Sequence, residues 1–157
     1  MNSGGFSLLE LLVVLLILGI FLLLATLQPD PERRAVDQAA RGLSEQVVRA
    51  RLEAIRNNVF AGVHLFTDGA GGYAVFLDLN ANRVYDPGEE VQLVRFGQGD
   101  WARVALAKER STLGNLPLLF DPRGIPAKII TGTWALKSSS GHVRKVVVSQ
   151  QGRARVE

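Results

Sequence analysis

The chain has 157 residues, 47% of them hydrophobic, and its formal net charge is +3. It contains no cysteine, which excludes disulfides and thiol chemistry. The charge is unevenly distributed, because residues 1–100 carry 8 Lys and Arg against 12 Asp and Glu, whereas residues 101–157 carry 10 against 3. Such a basic second half is typical of a chain that meets a polyanionic partner, although solvated surface charge would explain it equally well.

The N-terminal segment is a long apolar run. As a helix with a rise of about 1.5 Å per residue, Leu8 to Leu27 would span the roughly 30 Å of a bilayer core. Glu10 lies inside this run, where a carboxylate usually has a partner within the membrane. A secretory signal peptide would require basic residues before the run, and Met1–Gly5 contains none. A plain membrane anchor would leave Glu10 without a role.

The stretch from Gly5 to Val14 resembles the type IV prepilin signature. In that family a membrane peptidase cuts after the glycine and methylates the new N-terminus, which implies a leader at residues 1–5 and a mature chain starting at Phe6. Glu10 then takes the place of the glutamate that neutralises the N-terminal amino group of a neighbouring subunit during assembly. The resemblance also implies a transmembrane and assembly helix at residues 6–28.

The same resemblance implies a location and a set of partners. The protein would sit in the bacterial inner membrane with a single span and its head in the periplasm. It would then enter a cell-surface pilus or a periplasmic pseudopilus. Its partners would be other pilin or pseudopilin subunits and a prepilin peptidase.

Residues 29–58 are predicted to form an amphipathic helix that continues into the head. Pro29 and Pro31 predict a kink or a short break before it. From Glu32 onward, apolar residues recur at spacings of four and three, which places them on one helical face. This face comprises Val36, Ala40, Leu43, Val47, Ala50 and Ala54.

Residues 59–157 are predicted to form a β-rich globular head. The apolar spacing shifts toward two, and glycine-rich turns separate short strands. The predicted strands are Val59–Phe66, Tyr73–Leu77, Val91–Phe96, Arg103–Ala107, Leu116–Phe120, Lys128–Leu136 and Val143–Ser149. This pattern predicts the α+β class, with the long N-terminal helix packed against antiparallel sheets, and the resemblance to type IV prepilins implies a type IV pilin-like fold.

One loop of the head has the spacing of a calcium-binding loop. Its oxygen-bearing residues occupy the first, third, fifth, ninth and twelfth positions of such a loop. They are Asp78, Asn80, Asn82, Asp86 and Glu89. Arg83 stands where the sharp turn normally needs glycine, and no second helix follows. A polar hairpin loop without metal is the favoured interpretation, so no cofactor is expected.

The head further resembles the GspH/FimT group of pilin-like proteins. The resemblance lies in Ala50–Asn57, in Asp78–Asn82 with Asp86–Glu89, in Phe120–Gly124 and in the ending Gly152–Val156. That group contains secretion pseudopilins and minor type IV pilins, and some of the latter bind DNA during natural transformation. Other features argue against an enzyme, since only His64 and His142 are present and no nucleophile or nucleotide motif occurs.

Basic residues cluster near the C-terminus, at Arg144, Lys145, Arg153 and Arg155. In a strand, Arg153 and Arg155 would project to the same side about 7 Å apart, a spacing suited to successive phosphates. An edge strand blunted by charge is the alternative interpretation. Together with the resemblance to the GspH/FimT group, these cations predict a minor pilin near a pilus tip with DNA as a partner. A minor pseudopilin of a type II secretion system remains the alternative.

Overall fold

The computed structural model describes residues 7–26, 30–128 and 130–157. The chain divides into two compact units, Met1–Asp30 and Pro31–Glu157. The predicted processing residues Gly5 and Phe6 lie outside the described residues.

The first unit contains helix α1, Leu8–Thr26. The Ser7 hydroxyl accepts a hydrogen bond from the Leu9 amide at 3.3 Å, which satisfies one of the free amides at the helix start. Glu10 is its only charged residue, and the side chains from Leu8 to Leu24 are exposed. Within the described ranges, none of the helices combines the length and the apolarity that a membrane crossing requires. The span at residues 6–28 therefore stays a prediction.

The second unit begins with helix α2, Pro31–Asn57. Proline suits the first position of a helix, because its fixed φ matches the helix and its missing amide would have no partner there. The apolar face predicted from the sequence is confirmed, since all six of its residues are buried. Ala39 is buried beside them. The many alanines on this face let the helix backbone approach the sheets closely.

Eight strands follow in the described part of the second unit. They are β1 Phe60–Phe66, β2 Gly72–Asp78, β3 Glu90–Arg95, β4 Val104–Leu106, β5 Leu118–Phe120, β6 Gly132–Ser138, β7 Val143–Val148 and β8 Ala154–Val156. Every pair is antiparallel. Sheet A has the order β3-β2-β1-β5 and sheet B the order β4-β6-β7-β8. This is the predicted α+β class.

A single core joins α2 to both sheets. Trp134 of β6, Phe120 of β5 and Leu43 of α2 are among its largest fully buried side chains. Apolar residues alternate along the strands, so each sheet turns one face toward α2. For sheet B this leaves the opposite face for charged side chains.

Candidate functional site

The basic C-terminal residues lie on the β7–β8 hairpin at the edge of sheet B. In the antiparallel register Val147 lies opposite Arg155, and the amide of Ser149 donates to the carbonyl of Arg153 at 2.9 Å. The amides and carbonyls of Lys145 and Glu157 pair reciprocally at 2.8 and 2.9 Å. Paired residues of antiparallel strands share a face. Lys145, Arg153 and Arg155 therefore all project from the side of sheet B that faces away from the core.

Arg144 has a different position from its three predicted companions. Strand alternation turns it toward α2, where its guanidinium donates a hydrogen bond to the carboxylate of Asp37. This bond is the leading reason why the pKa of Asp37 is lowered and that of Arg144 is raised. The Nε2 atom of His142 lies 3.8 Å from the same carboxylate. The contact ties the start of β7 to α2.

The tip of the hairpin is fixed by two packing contacts. Gly152 has φ +69°, and a Cβ atom at this position would lie 2.5 Å from the ring of Phe120. The amide of Gly152 donates to the carbonyl of Ser149 at 2.9 Å, which closes the turn. Arg51 of α2 donates to the carbonyl of Gln151 at 2.6 Å and stacks over the Phe120 ring. Arg153, directly after the turn, is therefore held on a rigid frame.

A shallow groove of about 500 Å³ runs along this hairpin. Arg153 and Arg155 supply the positive charge of this groove. Val147, Ser149 and Gln151 also line it. Arg155 is exposed, with 74% of its side chain accessible, and it forms an ion pair of 2.7 Å with Glu157. Ion pairs between exposed side chains are weak, so an anionic ligand can compete for this arginine.

The loop with calcium-like spacing, between β2 and β3, is held by hydrogen bonds from its own groups. Asp78 is 2% exposed, and its two oxygens accept the amides of Asn82 and Arg83 at 3.0 and 2.8 Å. Asp86 accepts from the side-chain amides of Asn80 and Asn82. A carboxylate oxygen of Glu89 accepts the amide of Leu79 at 3.0 Å.

The sharp turn of this loop forms without glycine. Arg83 itself has φ +62° and stacks over the ring of Phe60. Among the described residues, no group of three or more His, Cys, Asp and Glu side chains could hold a metal ion. The metal-free interpretation of this loop stays a prediction, with calcium binding as its alternative.

Neither histidine lies in a cluster of catalytic type. His64 stacks on Tyr85 with ring centroids 5.0 Å apart, and burial lowers its pKa, which favours the neutral form. His142 lies beside Asp37, next to the start of β7. Both arrangements fit structural roles for these side chains.

The fold agrees with comparisons to known proteins. Residues 39–152 match the model of the family described as type II transport protein GspH. Residues 1–26 match the prokaryotic N-terminal methylation motif. The chain belongs to the GspH family, and it is a type IV pilin-like protein.

Individual relatives are of the same kind. The chain is 64% identical over its full 157 residues, and over the whole relative, to the pilin-like protein PilA1 of Thermus thermophilus. It also resembles two crystal forms of the type IV minor pilin FimU of Pseudomonas aeruginosa. The first gives a TM-score of 0.53 at 22% identity, covering 82% of this chain and 92% of FimU. The second gives 0.52 at 20%, covering 77% and 91%. These two likenesses concern the fold.

Pilin-like proteins are structural components rather than enzymes. Membership of the family indicates assembly with other pilin subunits, and the methylation motif indicates a membrane-anchored pilin.

The hydrogen bond from Arg144 to Asp37 was not foreseen from the sequence, because the two residues are 107 positions apart. The only available signal was the presence of an acid on the polar side of α2.

Proposed function

We propose that this chain is a minor type IV pilin, incorporated near the tip of a pilus, that binds DNA through Lys145, Arg153 and Arg155 and serves DNA uptake in natural transformation. The observation that carries the proposal is the common outward face of these three cations on a hairpin braced by Arg51 and Phe120. Arginine presents several donors in a planar fork that suits phosphate oxygens. Contacts of this kind position a nucleic acid without reading its sequence, so binding should be sequence-independent.

The proposal includes a path to the filament. A prepilin peptidase cuts between Gly5 and Phe6, and the apolar segment at residues 6–28 anchors the chain in the inner membrane with the head, residues 59–157, in the periplasm. Glu10, the only charge of α1, pairs with the N-terminal amino group of a neighbouring subunit. Desolvation of each charge is then compensated only in the assembled filament. The match of residues 1–26 to the methylation motif supports this path.

DNA binding is tested by titrating a fluorescent duplex with the full chain in a nonionic detergent. Affinity should be modest for one molecule and should fall steeply with salt, with a log–log slope of about −0.9 for each phosphate neutralised. The double variant Arg153→Gln/Arg155→Gln should bind more weakly and flatten that slope by roughly two units. The matched control is Arg33→Gln/Arg34→Gln, which removes the same charge from an exposed site on α2.

A second candidate is a minor pseudopilin of a type II secretion system. The match to the family described as type II transport protein GspH favours it. In that role the hairpin would contact other pseudopilins or secreted proteins rather than DNA. Wild-type protein that fails to bind DNA at low salt, or that binds as well without Arg153 and Arg155, would support the pseudopilin.

A further inference from the structure

The outward face of sheet B carries more cations than the hairpin alone. In the register of β6 with β7, Lys145 lies opposite Ala135 and Val143 lies opposite Lys137. Lys137 therefore projects from the same face as Lys145, and through β7 from the same face as Arg153 and Arg155. The basic surface crosses three neighbouring strands instead of ending at the edge strand.

A short 3-10 turn, Lys108–Arg110, borders this face on its far side. The amide of Ala107 donates to the carbonyl of Ala135 at 2.8 Å, and the amide of Thr112 donates to that of Thr133 at 2.9 Å. These bonds hold the segment along β6, one strand position beyond it. Glu109 reaches Lys137 at 3.3 Å, which places the turn beside the outward face. Lys108 and Arg110 are both exposed.

The resulting charge is strongly positive. Four cations project from the outward face, Lys137, Lys145, Arg153 and Arg155, and two more, Lys108 and Arg110, are exposed on the turn that borders it. We call these six residues the basic face. Two carboxylates lie among them, Glu109 beside Lys137 and Glu157 beside Arg155. Both ion pairs join exposed groups, so they are weak and open to competition from phosphates. Neighbouring strands are about 4.8 Å apart, so β8 and the 3-10 turn are separated by roughly 15 Å.

We propose that the DNA site extends over the whole basic face, with Lys108 and Arg110 as its second cationic border. This inference rests on the proposed DNA-binding function and adds its extent and its residues. The backbones that carry the two cationic rows are roughly 15 Å apart, which is similar to the width of about 12 Å of the major groove, so long side chains on both rows can reach the phosphates on its two sides. A hairpin acting alone could hold only one of these rows.

The test compares the double variants Lys108→Gln/Arg110→Gln and Arg153→Gln/Arg155→Gln of the full chain in nonionic detergent. Each is titrated with the same short duplex. Lys108→Gln/Arg110→Gln should bind about 10-fold to 100-fold more weakly at about 50 mM salt and should flatten the salt slope by roughly two units, as two lost phosphate contacts require. Glu109→Gln should bind the duplex more tightly, because it removes a negative charge from the basic face. Arg33→Gln/Arg34→Gln serves as the control, and unchanged circular dichroism of each variant checks that the fold is intact.

The outcomes separate this inference from the proposed function. If the wild type does not bind the duplex, the DNA-binding function itself fails. If it binds and needs Arg153 and Arg155, but the Lys108/Arg110 variant matches the wild type, the hairpin alone is the site and the extension is wrong. A loss in both double variants with an unchanged control supports the whole basic face.

Discussion

At the scale of single residues, Asp37 of α2 and Arg144 of β7 form a half-buried ion pair, with 29% and 30% of their side chains accessible. The pKa of Asp37 is lowered in the folded chain, first by the hydrogen bond from Arg144. Its stabilising effect is therefore complete above the unfolded value of about 3.9 and is lost as the pH falls through the lower folded value. We expect the pair to matter at neutral pH and to vanish in strong acid.

Asp37→Asn should lower the free energy of unfolding at neutral pH by about 1–2 kcal/mol, because a charged hydrogen bond between half-buried groups is lost. Denaturant titrations at several pH values would measure this. The curves of variant and wild type should converge in strong acid, below the lowered pKa of Asp37, where the wild-type carboxyl is protonated as well. The control is Asp68→Asn, whose carboxyl is 74% exposed in its pair with Arg95 and should change stability little. An equal loss in both variants would contradict the role given to Arg144.

Gly152 is the second residue with a specific structural role, because two constraints meet at it. Its φ of +69° is unfavourable for other residues, and an added Cβ would collide with Phe120 at 2.5 Å. Gly141, in the turn between β6 and β7, has φ +87° with open space around it. Gly152→Ala should therefore destabilise the head more than Gly141→Ala, which costs about 1 kcal/mol of backbone strain. Thermal unfolding of both variants measures the difference, and equal melting temperatures would show that the hairpin does not dock on Phe120.

At the scale of elements, the sequence predicted the structure best where an apolar pattern repeats over many residues. The face of α2 is repeated over many turns, so its buried residues were identified correctly. The ends of the strands were predicted less accurately than their centres. The strand predicted from Lys128 begins only at Gly132, because Pro126 and Ala127 instead pair with Phe120 and Leu119 of β5.

Other features depend on contacts that a single sequence does not display. The short strand β8 was absent from the predicted strands, although an extended segment at Arg153 and Arg155 was assumed. The division into two sheets and the pairing of Arg144 with Asp37 join residues that are far apart in sequence. The basic face gathers Lys108 and Arg110 with the C-terminal cations through the same kind of long-range pairing.

The role of α2 in the head leads to a prediction at this scale. Its buried face packs against strands of both sheets, so the sheets need the helix to cover their apolar side. A fragment from Glu32 to Glu157 should be a folded monomer, whereas a fragment from Val59 should aggregate. Size-exclusion chromatography and circular dichroism of the two fragments distinguish them. A well-folded monomer starting at Val59 would contradict the packing role of α2.

At the scale of the whole molecule, the chain combines an N-terminal methylation motif, an apolar helix with a single acid, and a head with one basic face. These parts suit successive steps: processing at Gly5, assembly through Glu10, and contact with DNA outside the membrane. Membership of the GspH family places this chain among pilin-like proteins, and its surface charge supports the proposed role of a minor pilin.

The central claim is that the processed chain is part of a pilus. Mass spectrometry of pili sheared from cells that express the native gene tests it most directly. We predict a minor component whose N-terminus is a methylated Phe6, because in the proposed path the peptidase cuts after Gly5 and processing places Glu10 beside a neighbour's amino group. A chain that still starts at Met1, or that stays in the membrane fraction and is absent from sheared pili, would contradict the account.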